Sequence, residues 1–296
     1  MNEIAYVLID GDYLLYKVGF GSQKTIYRVY EDQNEEDGYL QEFRYKRELD
    51  NWIDGNEDWS WGKKIVADSW GICKYNTDLC IKRIMRDSRA KSCIIFFTDT
   101  YNFREKVATL LPYKGNRDSS HKPVHFSRIK DYIIESYGCR VVYGCEADDA
   151  LSIYQQSVPE IGTTIIYTPD KDLDMVPGWR INKKNEVIWI DEESARESFY
   201  MQLLMGDATD NIPGIYKLTG TKATAPLKRE VGNSYPNEYE CVREMYLKSE
   251  KVKEGDVDGI LLEIGTLLYM KRDYEDKIDM RDFWKSVERQ RTEEVK

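Results

Sequence analysis

The densest group of chemically active side chains in this sequence is the segment Gly144-Cys145-Glu146-Ala147-Asp148-Asp149-Ala150. Its three carboxylic acids follow an apolar run, residues 140–143, that is typical of a buried strand. The residues that follow, 147–156, have the pattern of a helix. Acids are favoured in the first turn of a helix because they interact well with its dipole. The three acids could therefore serve only to stabilise the helix. Alternatively, they bind a cation, and the residues at the ends of the other predicted strands help to decide between the two interpretations.

Three further apolar runs also end in acidic residues. Residues 4–9 lead into Asp10, residues 92–98 lead into Asp99, and residues 163–168 lead into Asp170 after one proline. The runs are continuous rather than alternating, as in strands that are buried on both faces of a parallel sheet. Helical spacing over residues 70–86 and 126–137 separates them. Strands that alternate with helices predict a doubly wound α/β sheet.

Ligands bind such a sheet in the crevice at the carboxyl ends of its parallel strands. We therefore expect eight acids to face one small volume: Asp10, Asp12, Asp99, Glu146, Asp148, Asp149, Asp170 and Asp172. Asp207 and Asp210 could join them from a nearby turn. So many carboxylates cannot all stay ionised together without cations. Oxygen ligands favour Mg²⁺ or Mn²⁺ over zinc.

Any one of these acids has an alternative role as a helix cap or a solvated loop residue. For Asp12 that alternative carries as much weight as metal ligation. For four strand ends together, ligation is the better explanation. Two metal ions about 4 Å apart would activate a water molecule and stabilise the leaving oxygen of a phosphodiester.

A basic segment with interleaved aromatic residues follows Asp99: Tyr101, Phe103, Arg104, Tyr113, Lys114 and Arg117. Guanidinium and ammonium groups bind phosphates, and an aromatic ring stacks on a base. A solvated helical face is the alternative interpretation. Beside so many acids, the segment favours a nucleic-acid substrate.

The net charge of −10 does not argue against this substrate, because the charge is unevenly distributed. Residues 31–60 hold 11 acids and 3 bases, whereas residues 101–130 hold 7 bases and 2 acids. The local sign of charge governs binding more than the total does.

Residues 22–62 have a different pattern from the rest. Two strands around an acidic turn and a short helix over residues 46–53 are predicted there, as an insertion on the main domain. Trp52, Trp59 and Trp61 are interpreted as local packing. After Asp191 the pattern becomes helical, with helices expected over residues 194–204, 237–249 and 257–271. We expect an α/β domain over residues 1–194 and a helical region over residues 195–296, ending in a frayed tail.

The chain has no apolar run of the roughly 20 residues that cross a bilayer. Its amino terminus lacks the basic and apolar regions of a secretory signal. The six cysteines form no CxxC pair and are expected to be free thiols in a reducing cytoplasm.

Six motifs occur in a fixed order: Leu8-Ile9-Asp10-Gly11-Asp12; Phe97-Thr98-Asp99 with Phe103-Arg104; Tyr113-Lys114-Gly115-Asn116-Arg117; Glu146-Ala147-Asp148-Asp149; Asp170-Lys171-Asp172; and Gly206-Asp207-Ala208-Thr209-Asp210-Asn211-Ile212-Pro213-Gly214. Together they resemble the motifs of the 5′-nuclease superfamily. That superfamily includes flap endonucleases, the 5′-nuclease domain of bacterial DNA polymerase I, and phage 5′→3′ exonucleases with RNase H activity. The phage branch is the most similar in pattern, and the resemblance covers roughly residues 4–225.

The resemblance implies a PIN-like α/β domain, with helices on both faces of a mainly parallel sheet. It also implies a helix-three-turn-helix around residues 200–228 that holds duplex DNA. One Mg²⁺ would be bound by Asp10, Asp99, Glu146 and Asp148. The second would be served, partly through water, by Asp149, Asp170, Asp172 and Asp210, with Asp207 nearby.

The same resemblance assigns roles to basic and small residues. Lys114 and Arg117 would stabilise the scissile phosphate, and Arg104 would help to position it. Nucleic-acid contacts are expected from Tyr113, Lys122, Gly214, Gly220 and Lys222. Gly220 and Lys222 belong to a hairpin whose sequence departs from the family pattern. This departure puts in question both the binding of duplex DNA and a K⁺ site at the hairpin. Residues 22–62 have no family counterpart.

The function that follows is a Mg²⁺-dependent 5′→3′ exonuclease or structure-specific 5′-nuclease. Its expected substrates are duplex or flapped DNA and RNA·DNA hybrids. We expect a cytoplasmic, monomeric phage protein of DNA replication or primer removal, with replication proteins as candidate partners. Two alternatives stay open: a PIN-type ribonuclease acting on single-stranded RNA, and a DNA-binding scaffold without catalysis. The sequence leaves undecided the balance of exonuclease and flap activity and the preference for DNA or RNA.

Overall fold

The computed structural model describes residues 3–30, 38–54, 59–117, 121–158, 162–224, 229–230 and 238–275. The chain forms two compact units. The first comprises Met1–Asp12, Ile84–Ser119 and Cys139–Lys296, and the second comprises Tyr13–Arg83 and Ser120–Gly138.

The described strands are β1 (Tyr6–Asp10), β2 (Gln23–Tyr30), β3 (Gln41–Phe43), β4 (Ser60–Ala67), β5 (Ser92–Asn102), β6 (Arg140–Gly144), β7 (Thr164–Tyr167), β8 (Gly178–Ile181) and β9 (Val187–Ile190). The described helices are α1 (Gly11–Gly21), α2 (Lys46–Ile53), α3 (Trp70–Ser88), α4 (Arg104–Val107), α5 (Phe126–Tyr137), α6 (Ala147–Ser157), α7 (Glu192–Met205), α8 (Ile215–Thr219), α9 (Glu238–Leu247) and α10 (Glu254–Leu268). A 3₁₀ turn covers Lys171–Met175.

The first unit is built on a six-stranded sheet with the order β6-β5-β1-β7-β8-β9. All neighbouring strands are parallel except β8 and β9, which are antiparallel. Val7, Leu8 and Ile9 of the central strand are fully buried, which explains the continuous apolar run. Helix α6 packs on β1, β5 and β7. The mainly parallel α/β class is confirmed.

Two features of this sheet differ from the predictions. Strand β5 does not end before Asp99 but continues to Asn102, with a shift in its register with β6 between Thr98 and Asn102. Asp99 and Asn102 in this extension have low strand propensity, and the pairing of Asn102 with Gly144 of β6 keeps the chain extended. Strands β8 and β9 were not predicted, because they are short and lack a sustained alternation.

The carboxyl-terminal helices belong to the same core as the sheet. One cluster of buried side chains includes Leu8 and Phe96 of the sheet together with Phe199, Tyr246 and Leu261 of the helices. The division of the chain into units therefore does not coincide with the predicted boundary at residue 194. The frayed tail predicted over residues 289–296 lies outside the described residues.

The second unit contains a three-stranded antiparallel sheet with the order β3-β2-β4. The two predicted strands and the helix over residues 46–53 are confirmed, and the acidic turn lies largely outside the described residues. Strand β4 was missed because half of its residues are exposed, none is buried, and Lys63-Lys64 interrupts any apolar pattern. Trp52 stacks on Trp59 with 4.4 Å between the ring centres, which confirms local packing for that pair.

Among the described residues, no helix has both the length and the apolar composition that a membrane span requires. All six cysteines are free thiols, as predicted.

Candidate functional site

The acidic segment opens helix α6, and its first residues have separate environments. Glu146 precedes the helix in extended conformation, and its backbone N–H donates to Asp149 Oδ2 at 3.1 Å. The interpretation of these acids as helix-terminal residues is therefore correct for Asp149. The side chain of Asp148 has a different environment.

Asp149 forms a buried ion pair with Arg104, and both side chains are 0% exposed. The two guanidinium Nη atoms lie 2.5 and 2.9 Å from the two carboxylate oxygens. Burial opposes ionisation, but the Arg104 charge and its hydrogen bonds hold the pKa of Asp149 below its usual range.

Arg104 also donates to the carbonyl oxygens of Leu267 at 2.8 Å and Tyr269 at 2.7 Å, and the N–H of Lys271 donates to Asp149. This arrangement corrects two expectations. A fully buried guanidinium with these partners does not reach a phosphate, and a carboxylate bound on both oxygens is not directed at a metal. The structure places Arg104 and Asp149 in the protein interior as a structural pair.

Asp148 carries the strongest sign of a cation site. Its Oδ1 atom is buried and has no hydrogen-bond partner among the described residues. Burial raises the pKa of Asp148 well above its usual range, and the charges of Asp10, Asp170 and Glu146 raise it further, while Lys114 opposes them. The structure thus brings four predicted ligands into one electrostatic group.

Strand topology explains this group. Asp10 ends β1, and Asp170 follows the neighbouring parallel strand β7. Thr168 Oγ1 donates to Asp10 Oδ2 at 3.4 Å, which ties the two strand ends together. Adjacent parallel strands end at the same edge of a sheet, so the chain cannot separate these acids.

A second group of acids surrounds Asp172 in the 3₁₀ turn. Burial raises the pKa of Asp172 to about 7, with Asp170 and Asp207 contributing and Lys171 opposing. Lys171 Nζ lies 2.7 Å from Asp207 Oδ2, and Gln202 Nε2 donates to Asp172 Oδ1 at 2.7 Å. Asp207 therefore lies near the predicted second-metal residues, as expected.

Lys171 and Gln202 were not singled out from the sequence. Lys171 lies inside the Asp170-Lys171-Asp172 motif, so its position was a usable signal. Gln202 lies in the middle of α7, and no local pattern marks it.

The basic segment contacts the same acids. Lys114 forms an ion pair with Glu146, and Arg117 forms one with Asp210. The Tyr113 hydroxyl lies 3.0 Å from Glu146 Oε2 and 2.8 Å from Asp210 Oδ2. The backbone N–H of Lys114 also donates to the Asp210 carbonyl at 2.9 Å. The described structure thus balances the charge of Glu146 and Asp210 with Lys114 and Arg117.

The hydrogen bonds described for Asp99 and Asp12 involve residues of β5. In the described part of the chain, Asp99 makes no hydrogen bond or ion pair with another predicted ligand; Thr100 Oγ1 lies 3.5 Å from it. Asp12 accepts a hydrogen bond from the Thr98 N–H at 3.1 Å, which favours its structural role. Within the described residues, no three Asp, Glu, His or Cys side chains stand in a geometry that would hold a metal.

Part of the segment predicted to bind duplex DNA, residues 200–228, lies within the described residues. Helix α7 is followed by a turn that brings Gly206 against Gly214, and then by α8, which ends at Gly220 with φ +78°. Residues 225–228 of the predicted element lie outside the described residues. Lys222 is exposed, and Lys122 is exposed in the second unit with its Nζ 5.1 Å from the Phe126 ring centre.

We expect Gly214→Ala to lower the free energy of unfolding by about 1–3 kcal/mol. A Cβ at this position would lie 2.0 Å from the Met205 carbonyl oxygen, which is backbone and cannot turn away. Urea unfolding measures the change. Gly259→Ala in α10 is the matched control, because its Cβ would meet nothing within 4 Å. It should stabilise the helix by about 0.5–1 kcal/mol. Equal effects of the two variants would contradict the packing described for the turn.

The chain has named relatives, although no protein-family model matches it. The 5′-3′ exonuclease of Buchnera aphidicola subsp. Acyrthosiphon pisum (strain APS) is 31% identical over 179 residues, which are 55% of this chain and 58% of that protein. The 5′-3′ exonuclease of Buchnera aphidicola subsp. Schizaphis graminum (strain Sg) is 26% identical over 177 residues, with shares of 55% and 58%. The chain thus spans less than two thirds of the length of these curated relatives.

A solved structure has the same fold. The T5 D15 protein, co-crystallised with metal ions, matches with a TM-score of 0.53 over 98% of this chain and 98% of its own. The sequence identity is 13%, so this likeness concerns the fold alone. About half of the chain is thus similar in sequence to proteins named 5′-3′ exonucleases, and its fold is similar to that of the T5 D15 protein.

Proposed function

We propose that this chain is a metal-dependent 5′→3′ exonuclease that also cuts at 5′ flaps. The observation that carries the proposal is the buried Asp148 Oδ1, without a hydrogen-bond partner among the described residues and under the influence of Asp10, Asp170 and Glu146. The similarity to proteins named 5′-3′ exonucleases supports it.

The donors of this group suit a divalent cation in their chemistry, and because their positions in the described structure do not form a metal-holding geometry, the side chains would have to converge on the cation. Their donors are carboxylate oxygens, which suit Mg²⁺ or Mn²⁺. A cation would remove the repulsion that raises the pKa of Asp148. Asp10, Glu146, Asp148 and Asp170 would hold it, and Asp172 and Asp210, with Asp207 nearby, would serve a second one. Asp99 would bind the cation, as predicted, only if the part of β5 between Thr98 and Asn102 moved towards the other acids.

When bound, divalent cations supply an activated water molecule and stabilise the leaving oxygen of a phosphodiester. The side chains of the chain itself do the rest. Lys114 and Arg117 would exchange their carboxylate partners for the phosphate backbone, since both groups bind either anion. Tyr113, freed from Glu146 and Asp210, would stack on a terminal base.

The turn between α7 and α8 would hold duplex DNA. Gly214 precedes α8, and Gly220 and Lys222 follow its end, so small residues would let the DNA backbone approach closely and the Lys222 ammonium group would bind a phosphate. We also propose that Lys122, an exposed lysine, contacts nucleic acid. We also propose action on RNA·DNA hybrids, a role in phage DNA replication, a monomeric state in the cytoplasm, and K⁺ binding at this turn.

A cleavage panel tests the proposal. Oligonucleotides labelled at the 5′ end are presented as duplex, flap, RNA·DNA hybrid and single strands of DNA and RNA, with Mg²⁺, Mn²⁺ or EDTA. We expect metal-dependent cleavage of the duplex and the flap from the 5′ end, leaving 5′-phosphates. Cleavage of single-stranded RNA alone would support a PIN-type ribonuclease instead. Binding of duplex without cleavage under any metal would support a scaffold.

A further inference from the structure

The three-stranded sheet of the second unit carries a feature that the proposed nuclease site does not use. Its strands are fixed in register, with Arg28 opposite both Glu42 on β3 and Gly62 on β4. Directly paired residues of antiparallel strands point to the same face, and alternate residues share that face. Arg28 and Tyr30 of β2 therefore share one face with Lys64 of β4.

A cavity of about 310 Å³ opens on this face. Arg28, Tyr30, Tyr39 and Lys64 are among the residues that line it, and Gly62 leaves room between them because it has no side chain. This volume lies near the lower limit of pockets that hold small ligands. A cavity of this size can accept one planar chemical group, such as a single nucleobase, but not the surface of a folded protein.

The cavity is lined by the ion-paired guanidinium of Arg28, the ammonium groups of Lys63 and Lys64, and the Tyr39 ring. The Arg28 guanidinium lies 4.0 Å from the centre of the Tyr39 ring and donates to Glu42 Oε2 from Nε at 3.2 Å and from Nη2 at 3.1 Å. Tyr39 nevertheless remains 45% exposed. Lys64 is exposed and has no ion pair with any carboxylate in the ranges that the structure describes.

We propose that this cavity binds single-stranded nucleic acid. A base would stack on Tyr39 beside the ordered guanidinium, and Lys64 would bind a neighbouring phosphate. An acidic peptide could use the charges but not the ring. A duplex keeps its bases stacked on one another and could not insert one. The proposal goes beyond the proposed nuclease function, because none of the carboxylates assigned there belongs to the second unit.

The test measures binding in EDTA, so that it is independent of cleavage. The full chain is titrated into a fluorescein-labelled 12-nucleotide oligothymidylate, and anisotropy gives the dissociation constant. The full chain is used because residues 31–37, which hold 5 acids, precede the cavity in sequence and lie outside the described residues. Thermal unfolding checks that each variant is folded.

Loss of one stacked base weakens binding about five-fold or more. We expect this increase in the dissociation constant from Tyr39→Ala. Tyr39→Phe keeps an aromatic ring and should bind as the wild type does. Lys64→Gln should weaken binding and reduce the slope of log K against log salt by about 0.7. Lys82→Gln, which removes an exposed lysine on α3, is the matched control and should change neither.

A photo-crosslink adds an independent location of the strand. Oligothymidylate with 4-thiothymine should attach within residues 28–64, and mass spectrometry would identify the peptide. Unchanged affinity in Tyr39→Ala and Lys64→Gln, with crosslinks only elsewhere, overturns the proposal. Equal binding of a 12-base-pair duplex, or equal competition by polyglutamate, also overturns it. Failure here leaves the cleavage panel unaffected, and failure of that panel leaves this binding unaffected.

Discussion

Asp148→Asn is expected to remove metal-dependent cleavage of a 5′-labelled duplex and, at the same time, to stabilise the protein in EDTA. The Asp148 carboxylate is buried among Asp10, Asp170 and Glu146, and its Oδ1 has no hydrogen-bond partner in the described residues. Without a cation, this charge destabilises the folded state. Asparagine has nearly the same shape and no charge, so it relieves the repulsion and removes a ligand together.

The two effects have different sizes and separate measurements. Loss of one preorganised electrostatic group lowers the rate on the order of 10²-fold or more. The free energy of unfolding in EDTA should rise, because burial and the neighbouring charges raise the pKa of Asp148 in the folded state and so disfavour its ionised form. Mg²⁺ should raise the unfolding temperature of the wild type and have little effect on the variant, because a ligand stabilises only the state that binds it.

Asp87→Asn is the matched control for this variant. Asp87 pairs with Arg86 at the protein surface, and its side chain is half exposed. The same chemical change there should leave both the stability in EDTA and the response to Mg²⁺ unchanged. Wild-type cleavage by Asp148→Asn would show that this carboxylate is outside the catalytic site, and lower stability in EDTA would show that its charge is already compensated.

Arg104→Met is expected to lower the free energy of unfolding by about 3–5 kcal/mol, since it leaves a buried carboxylate without its partner. Asp149 would keep only the two backbone N–H groups of Glu146 and Lys271. The carbonyl oxygens of Leu267 and Tyr269 would also lose their donor. Urea unfolding of the full chain measures the change.

A second variant keeps this prediction testable if Arg104→Met does not fold. Arg104→Met combined with Asp149→Leu removes both charges, and such replacements of a buried pair are often neutral or stabilising. We expect the double variant to recover most of the lost stability. Arg86→Met, which breaks an exposed pair, should cost less than about 1 kcal/mol. A stable Arg104→Met with only a raised KM would instead support direct contact with the substrate phosphate.

The sequence predicted the central acids because it predicted the strands. A continuous apolar run identifies a buried parallel strand, and the residue after it lies at the edge where ligands bind. Asp10, Glu146 and Asp170 followed from this rule. Asp99 did not, because β5 continues past it through a shift in register that no local pattern reveals.

Asp149 shows a different limit. Successive residues of a helix point about 100° apart, so Asp148 and Asp149 can have different surroundings, as they do here. The spacing alone does not tell which of them faces inward. The partner that decides it, Arg104, is 45 positions away in the sequence. The missed strands β4, β8 and β9 likewise depend on pairing with distant segments rather than on their own composition.

The contacts of Arg104 also bear on the order in which the protein can be made. Leu267 and Tyr269 follow Arg104 by 163 and 165 positions. At synthesis rates of about 5–20 residues per second, about 10–30 s pass between the synthesis of Arg104 and the synthesis of these two carbonyl groups. Until then, a nascent chain cannot close the interior beside Asp148. The acidic group would therefore reach its final arrangement only after residue 271 has emerged, so that an incomplete chain carries no assembled centre.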